Sequence, residues 1–156
     1  METLMNQQTW NQVSEIDLIY RSKVKASERP QIKTSKDAAD LLRHLWSEDK
    51  IDFVEQFKVL FLNRANKVLG IFEVSTGGVT GTVADPRLIF IAALKMNCTG
   101  ILVCHNHPSG NLKPSKPDED LTQKIKQAGL FLDIKLLDHI IVTSEGFYSF
   151  ADEGLI

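Results

Sequence analysis

Two segments of the chain combine a helix start signal with apolar residues at helical spacing. Residues 34–37 (Thr-Ser-Lys-Asp) have the pattern of a capping box, in which the first and fourth residues cap each other's backbone N–H groups. The apolar residues behind it share one helical face, which His44 does not join; they are Ala38, Leu41, Leu42, Leu45 and Trp46. A second capping box at residues 115–118 predicts another helix that runs to about residue 129.

A third helix is predicted over residues 86–96, with Pro86 at the first helical position that proline favours. Its segment 88–94 is apolar at every position and leaves no polar side for solvent. The pattern therefore predicts a buried helix.

The other apolar segments alternate or cluster as they do in strands. Alternation at residues 13–20 predicts a half-buried strand. Residues 53–62 and 68–75 flank a turn-forming stretch and predict a hairpin. The continuous apolar run at residues 101–104 predicts a central strand. Three more strands are predicted at residues 132–137, 139–143 and 147–150.

Glycine and proline predict loops at residues 76–85 and 105–116. Strands interleaved with helices in this order predict a mixed α/β or α+β sandwich, and 156 residues suffice for one such domain.

Composition and charge exclude several classes of protein. No apolar run approaches the roughly 20 residues that cross a bilayer, so we expect no membrane partner. The start has no signal-peptide pattern, and the two cysteines, Cys98 and Cys104, cannot form a disulfide framework; both features favour the cytoplasm. A formal net charge of −2 does not support nucleic-acid binding, which phosphate neutralisation dominates.

Two histidines follow the predicted central strand. If the strand continues through His105 and His107, its period of two places both imidazoles on one face and Cys104 on the other. Asp118, in the first turn of the next helix, would add a carboxylate. Two imidazoles, one carboxylate and an open position are typical of a catalytic zinc site. The capping box explains Ser115 and Asp118 without a metal, so the spacing alone leaves both interpretations open.

The same residues match the JAMM (MPN-plus) metalloprotease motif HxHx7SxxD at His105, His107, Ser115 and Asp118. The strings at residues 105–110 (HNHPSG) and 137–140 (LDHI) resemble the RadC branch of that superfamily. The resemblance implies a three-layer α/β/α sandwich with a mixed sheet, the cytidine-deaminase-like JAB/MPN fold. It divides the chain into an N-terminal extension with one strand, residues 1–28, and a RadC-type domain, residues 29–156. We expect this chain to lack the N-terminal helix-hairpin-helix module that RadC proteins commonly carry.

The resemblance also implies roles for individual residues. His105, His107 and Asp118 would bind Zn²⁺, with water as the fourth ligand. Ser115 would hydrogen-bond the reacting water or the oxyanion. Glu55 would accept the proton of the water, with Glu73 on the partner strand of the hairpin as the alternative. The implied substrate is a peptide or isopeptide bond.

The residues around Glu55 are consistent with that role. Glu55 shares parity with Phe57, Val59 and Phe61, so its carboxylate faces an apolar side of the strand. Desolvation there would raise its pKa towards that of a general base. The alternative is a solvated carboxylate at a frayed strand start.

Two residues beside the histidines bear on these roles. Asp138 could orient a ligating imidazole, but a turn with a satisfied histidine is the preferred interpretation of the Asp138-His139 pair. Asn106 departs from the serine or threonine of eukaryotic JAMM proteases and agrees with RadC, which leaves peptide-bond specificity open.

Two other functions stay open. One is nucleic-acid processing, since the RadC family carries a DNA-repair name; the net charge of −2 is an argument against it. The other is a metal-bound interaction module without catalysis, against which the complete ligand set argues. The oligomeric state is also open, with residues 13–25 as a possible strand edge for pairing with another subunit.

Overall fold

The computed structural model describes residues 11–77 and 83–156. Its middle layer is a five-stranded sheet in the order β2-β1-β3-β4-β5, in which β3 and β4 are parallel and the other neighbours are antiparallel. The strands are β1 (Gln56–Leu62), β2 (Val68–Thr76), β3 (Gly100–Asn106), β4 (Lys135–Val142) and β5 (Phe147–Ser149). The helices are α1 (Ser35–Leu45), α2 (Glu48–Ile51), α3 (Pro86–Lys95) and α4 (Lys116–Phe131), and one 3₁₀ turn spans Ala26–Glu28.

Two apolar cores, one on each face of the sheet, hold these layers together. On one face Leu60 and Cys104 pack with Leu42 of α1; on the other Val59 and Val103 pack with residues of α3 and α4. Neighbouring residues of one strand thus enter opposite cores, as the period of two requires. The mixed sheet and the three-layer α/β/α sandwich predicted from the sequence are confirmed.

The connection between β3 and β4 determines where the functional residues meet. Parallel neighbours need a crossover, and here α4 provides it. A loop at residues 107–115 joins the end of β3 to the start of α4, and Asp118 in the first turn of α4 lies 3.5 Å from His105 near the end of β3. This arrangement brings the two capping-box residues near the two histidines.

The predicted helix starts are confirmed. In α1 the Thr34 hydroxyl accepts from the Asp37 N–H at 3.1 Å, and the Asp37 carboxylate accepts from the Thr34 N–H at 2.9 Å. These backbone hydrogen bonds hold the Asp37 pKa below its usual value. His44, which the helical spacing leaves off the apolar face, is exposed. None of the helices within the described ranges has the length and apolar content needed to cross a membrane.

The prediction of a buried α3 is wrong. Ile89, Phe90 and Ala93 are buried, but three other residues are substantially exposed: Leu88 (44%), Ile91 (63%) and Leu94 (55%). Only one side of α3 contacts the sheet and α4. A uniformly apolar segment does not show which of its sides has a neighbour.

The predicted strand at residues 13–20 is also wrong. These residues form no strand, and Ile16 and Leu18 are 83% and 78% exposed. The Tyr20 hydroxyl donates to the Leu69 carbonyl at 2.8 Å. Alternation alone does not make a strand when no neighbouring strand supplies the ladder hydrogen bonds.

Several predicted boundaries also shift. β1 begins at Gln56 rather than at residue 53, because α2 and a turn precede it and Phe53 is 73% exposed. β3 continues through Asn106 into the predicted loop at residues 105–116. The two strands predicted on either side of Asp138 are one strand, β4. In the predicted loop at residues 76–85, residues 78–82 lie outside the described ranges.

Candidate metal centre

His105 and His107 lie at the carboxyl end of the central strand β3. His105 is 1% exposed and stacks on Phe57 of β1, with 6.0 Å between ring centroids. His107 follows the strand, and its N–H donates to the Val142 carbonyl of β4 at 3.1 Å. The Nε2 atoms of the two rings are 2.9 Å apart. Cys104 lies in the opposite core. The period of two in the strand therefore predicts correctly on which face each of these three residues lies.

Asp118 approaches both imidazoles from the first turn of α4. Its Oδ1 is 3.5 Å from Nε2 of His105, and its Oδ2 is 3.8 Å from Nε2 of His107. Burial favours a higher Asp118 pKa, but the hydrogen bond and charge of His105 and the hydrogen bonds from Ser115 outweigh it and hold that pKa well below its usual range. The carboxylate is therefore ionised at neutral pH and can act as a ligand.

Ser115 and Asp118 also form the capping box of α4. The Ser115 N–H donates to Asp118 Oδ2 at 2.8 Å, and the Asp118 N–H donates to the Ser115 hydroxyl oxygen at 3.2 Å. Because that hydroxyl oxygen is the acceptor, its proton stays available for another partner. Asp118 thus caps the helix and contacts the histidines at the same time. Its role in the capping box does not exclude a role as a metal ligand.

Glu55 precedes β1 and is half-buried beside the histidines. One of its carboxylate oxygens and a ring nitrogen of each of His105 and His107 all lie within 4.8 Å of one another. Desolvation raises the Glu55 pKa above its usual value, although the two histidines oppose the rise. The parity expected from Phe57, Val59 and Phe61 is observed, since all three lie in the core beneath α3 and α4.

The structure does not bring Glu73 to this group. Glu73 is exposed on β2 and pairs in register with Lys58, two residues after Gln56. Lys58 and Glu73 therefore lie on the opposite face of the sheet from Phe57. Its carboxylate accepts hydrogen bonds from Gln56 Nε2 at 2.9 Å and from the Thr76 hydroxyl. The Thr76 hydrogen bond is the main cause that lowers the Glu73 pKa. Of the two glutamates considered, only Glu55 lies beside the two histidines, in a group of side chains that could hold a metal ion.

The donor atoms fit a small divalent metal ion. Ligands about 2.0–2.2 Å from a tetrahedral zinc ion lie about 3.4 Å from each other, and the distances above range from 2.9 to 3.8 Å. His107 Nδ1 lies 2.5 Å from the Asn111 carbonyl, which can only accept a hydrogen bond. Nδ1 of His107 therefore donates to that carbonyl, and Nε2 is the ring nitrogen that faces the other two candidate ligand atoms.

Sequence reasoning missed the side chains behind His105. The residue in contact with its Nδ1 is His139, whose Nε2 lies 2.8 Å away, and Thr122 of α4 contacts the other nitrogen of His139. Asp138 does not reach a histidine ring: it accepts from its neighbour's N–H, from Ser149 and from the Ala151 N–H. The expected turn at Asp138 is wrong, because the pair lies inside β4, whereas the expected satisfied histidine is confirmed by the two partners of His139. A single continuous strand would have placed His139 on the His105 face.

Comparisons with known proteins agree with this picture. Residues 32–155 match the family described as the RadC-like JAB domain. A UPF0758 protein from Flavobacterium johnsoniae is 47% identical over 125 residues, which cover 80% of this chain and 53% of the relative. A UPF0758 protein from Clostridium botulinum (strain Alaska E43) is 44% identical over 102 residues, 65% of this chain and 44% of the relative.

A UPF0758 protein from Porphyromonas gingivalis (strain W83) is 43% identical over 103 residues, 65% of this chain and 45% of the relative. The chain thus spans about half the length of the curated relatives it matches. The matched range contains both histidines, Asp118 and Glu55. The chain belongs to the RadC-like JAB domain family.

Proposed function

We propose that this chain is a zinc-dependent hydrolase domain that cleaves a peptide or isopeptide bond. His105, His107 and Asp118 hold the metal, and Glu55 acts as the general base. The observation that carries the proposal is the meeting of two imidazoles, the ionised Asp118 carboxylate and a partly desolvated Glu55 at the end of one strand. Two imidazoles and one carboxylate are the ligands of many catalytic zinc sites, which keep one position open.

Glu55 and Asp118 are assigned to different roles because their environments differ. The hydrogen bond from the Ser115 N–H favours the ionised form of Asp118, as suits a metal ligand. Burial raises the Glu55 pKa, as suits a group that must both accept and return a proton near neutral pH. Two carboxylates at one site with pKa values shifted in opposite directions are a common basis for such a division of roles.

The hydrolysis needs one proton to move from water to the leaving amine. A zinc ion, when bound, lowers the pKa of a water molecule to about 7 and polarises the carbonyl under attack. Glu55 takes a proton from the attacking water as its oxygen bonds to the carbonyl carbon. Glu55 then gives the proton to the amine nitrogen as the carbon–nitrogen bond breaks, so the residue ends the cycle unprotonated.

Ser115 is assigned to the oxyanion. Its hydroxyl oxygen accepts from the Asp118 N–H, which leaves the hydroxyl proton to donate to a developing negative charge. Because the capping box fixes the Ser115 backbone at the start of α4, this donor is preorganised.

The metal content of the untagged protein tests the proposal first. We expect close to one zinc ion per chain by elemental mass spectrometry, and loss of that zinc in the double variant His105→Ala/His107→Ala. His44→Ala is the matched control, since His44 is an exposed histidine of α1 outside the site, and it should keep the zinc. No zinc in the native protein, even after reconstitution, would overturn the proposal.

Activity is the second step of the same test. The zinc-loaded protein is screened against fluorogenic peptides and isopeptide-linked peptides. We expect cleavage that a chelator abolishes and added zinc restores. A stoichiometric zinc site without cleavage of any of these substrates would favour a metal-bound interaction module instead.

A further inference from the structure

Three buried side chains, Thr122, His139 and His105, form a continuous hydrogen-bonded series. The Thr122 hydroxyl of α4 is 2.6 Å from the backbone carbonyl oxygen of Asp118 and 2.6 Å from Nδ1 of His139. The Nε2 atom of His139 is in turn 2.8 Å from Nδ1 of His105. Thr122 and His139 are fully buried, and His105 is 1% exposed.

The direction of each hydrogen bond in this series follows from its last acceptor, the backbone carbonyl oxygen of Asp118. The Asp118 carbonyl oxygen can only accept, so it takes the single hydroxyl proton of Thr122. The Thr122 oxygen must then accept, and the proton in that contact lies on Nδ1 of His139. A neutral His139 ring with its proton on Nδ1 has a lone pair on Nε2. That lone pair accepts the proton that His105 carries on Nδ1.

The surroundings of His139 favour its neutral form. Phe150 stacks on the ring with 4.4 Å between centroids, and Phe57 meets it edge-on at 5.7 Å. A charged imidazolium between two aromatic rings in the core would lose its hydration. The neutral ring instead uses both of its nitrogens, one as donor and one as acceptor.

We propose that Thr122 and His139 are positioning residues that fix the tautomer of His105. With its proton held on Nδ1, His105 keeps the lone pair on Nε2, which lies 2.9 Å from Nε2 of His107 and 3.5 Å from Asp118 Oδ1. The inference rests on the proposed function in taking His105 as a metal ligand. The proton on Nδ1 of His105 is expected in the metal-free protein as well.

The same threonine also contacts a second proposed ligand. Its hydroxyl donates to the backbone of Asp118, whose carboxylate faces both histidines, while its oxygen orients His105 through His139. One hydroxyl therefore links the first turn of α4 to the ring at the end of β3. Such outer partners set the orientation and the basicity of ligating histidines.

The ring-nitrogen spectrum of the metal-free protein tests the tautomer directly. The chain has four histidines, so substitution one at a time assigns their ¹⁵N signals. We expect both His105 and His139 to carry the proton on Nδ1 in the wild-type protein. A His105 ring without a proton on Nδ1 would overturn the proposal, whatever the zinc content of the protein.

Matched variants of Thr122 test the consequence for metal binding. Thr122→Val keeps the shape and removes the hydroxyl, whereas Thr122→Ser keeps the hydroxyl. Competition with a chromophoric chelator should show zinc binding about 10-fold weaker in Thr122→Val, at the lower end of the range for such outer partners, and near the wild-type value in Thr122→Ser. In the same two variants, the His105 signal should show mixed tautomers and a single tautomer, respectively.

The outcomes separate this inference from the proposed function. Equal zinc affinity and equal His105 spectra in the two variants would overturn the positioning role of Thr122 and His139, even if the protein hydrolyses peptides. If the wild-type protein binds no zinc at all, the proposed function fails. The spectrum of the metal-free protein then still decides whether Thr122 and His139 hold the proton on Nδ1 of His105. Circular dichroism establishes that each variant is folded. The tautomer of His105 is determined on the wild-type protein, so that test does not depend on the stability of any Thr122 variant.

Discussion

The side chain of Asn106 ties the end of β3 to the start of β1 through Gln56. Its Oδ1 accepts from the Gln56 N–H at 2.7 Å, and its Nδ2 donates to the carbonyls of Ile51 and Val54 at 2.8 and 2.9 Å. Asn106 lies between the two histidines, and Gln56 directly follows Glu55. One buried carboxamide thus fixes the segment that carries the proposed base relative to the strand that carries the proposed ligands.

Only a carboxamide meets these three backbone groups, because it offers one acceptor and two donors. We expect Asn106→Asp to destabilise the fold by about 2–4 kcal/mol, since a buried carboxylate would then face two carbonyl oxygens. Urea unfolding followed by circular dichroism measures the change. Asn11→Asp, at an exposed position outside the helices and strands, is the control and should stay within about 0.5 kcal/mol of wild type. Equal stability of the two variants would contradict the assigned role of Asn106.

Glu55 and Asp118 are predicted to respond differently to loss of charge. Glu55→Gln should keep the zinc and lower turnover of a cleaved peptide by about 100-fold or more, because the general base is removed. Asp118→Asn should lose the zinc, because a charged ligand is removed. Zinc content and hydrolysis are measured on the same preparations.

Glu73→Gln is the control for this pair. Glu73 is exposed and hydrogen-bonded to Thr76 and Gln56, outside the group of Glu55 and the two histidines, so its variant should keep both zinc and turnover. Loss of zinc from Glu55→Gln would instead identify Glu55 as a ligand and contradict its assignment as the base.

The sequence predicts those parts of the site that depend on local geometry. The period of two in a strand places His105 and His107 on one face, and the capping box places Asp118 in the first turn of α4. The crossover from β3 to β4 then brings the two pieces together. Each of these steps involves residues close together along the chain.

The partners of the histidines depend on strand register and are not visible in the sequence alone. His139 is 34 residues from His105, and Asn106 is 50 residues from Gln56. Asp138 caused the pattern to predict two strands where there is one, because a polar residue inside an apolar run resembles a strand end. In β4 the Ser149 hydroxyl and two backbone N–H groups donate hydrogen bonds to its carboxylate. A buried carboxylate is tolerated in a strand when its hydrogen bonds are made.

A close approach near the end of α4 predicts an unusual response to alanine. A Cβ on Gly129 would lie 2.2 Å from the Ile134 carbonyl oxygen, so the backbone would have to move. Alanine favours a helix over glycine by about 1 kcal/mol, yet we expect Gly129→Ala to destabilise the protein by about 1–3 kcal/mol through this overpacking.

Urea unfolding of Gly129→Ala beside Gln127→Ala provides the measurement. Gln127 is exposed on the same helix, so its variant should lie within about 0.5 kcal/mol of wild type. A Gly129→Ala protein more stable than wild type would show that α4 and the turn before β4 do not approach this closely.

The two cysteines are predicted to be inert in the folded protein. Cys98 and Cys104 are free thiols, 6% and 0% exposed. Burial raises the pKa of Cys98 to about 11 and that of Cys104 well above its usual value. Because the thiolate is the reactive form and a raised pKa keeps the proton on sulfur, both groups stay protonated at pH 8.

An aromatic disulfide reagent should therefore label neither thiol of the native protein at pH 8, and both thiols once urea unfolds it. Ser144→Cys, at an exposed turn, is the control and should add one thiol that reacts at once in the native state. Rapid labelling of one native thiol in the wild-type chain would mean that Cys98 is reached by solvent and carries a lower pKa than its burial implies.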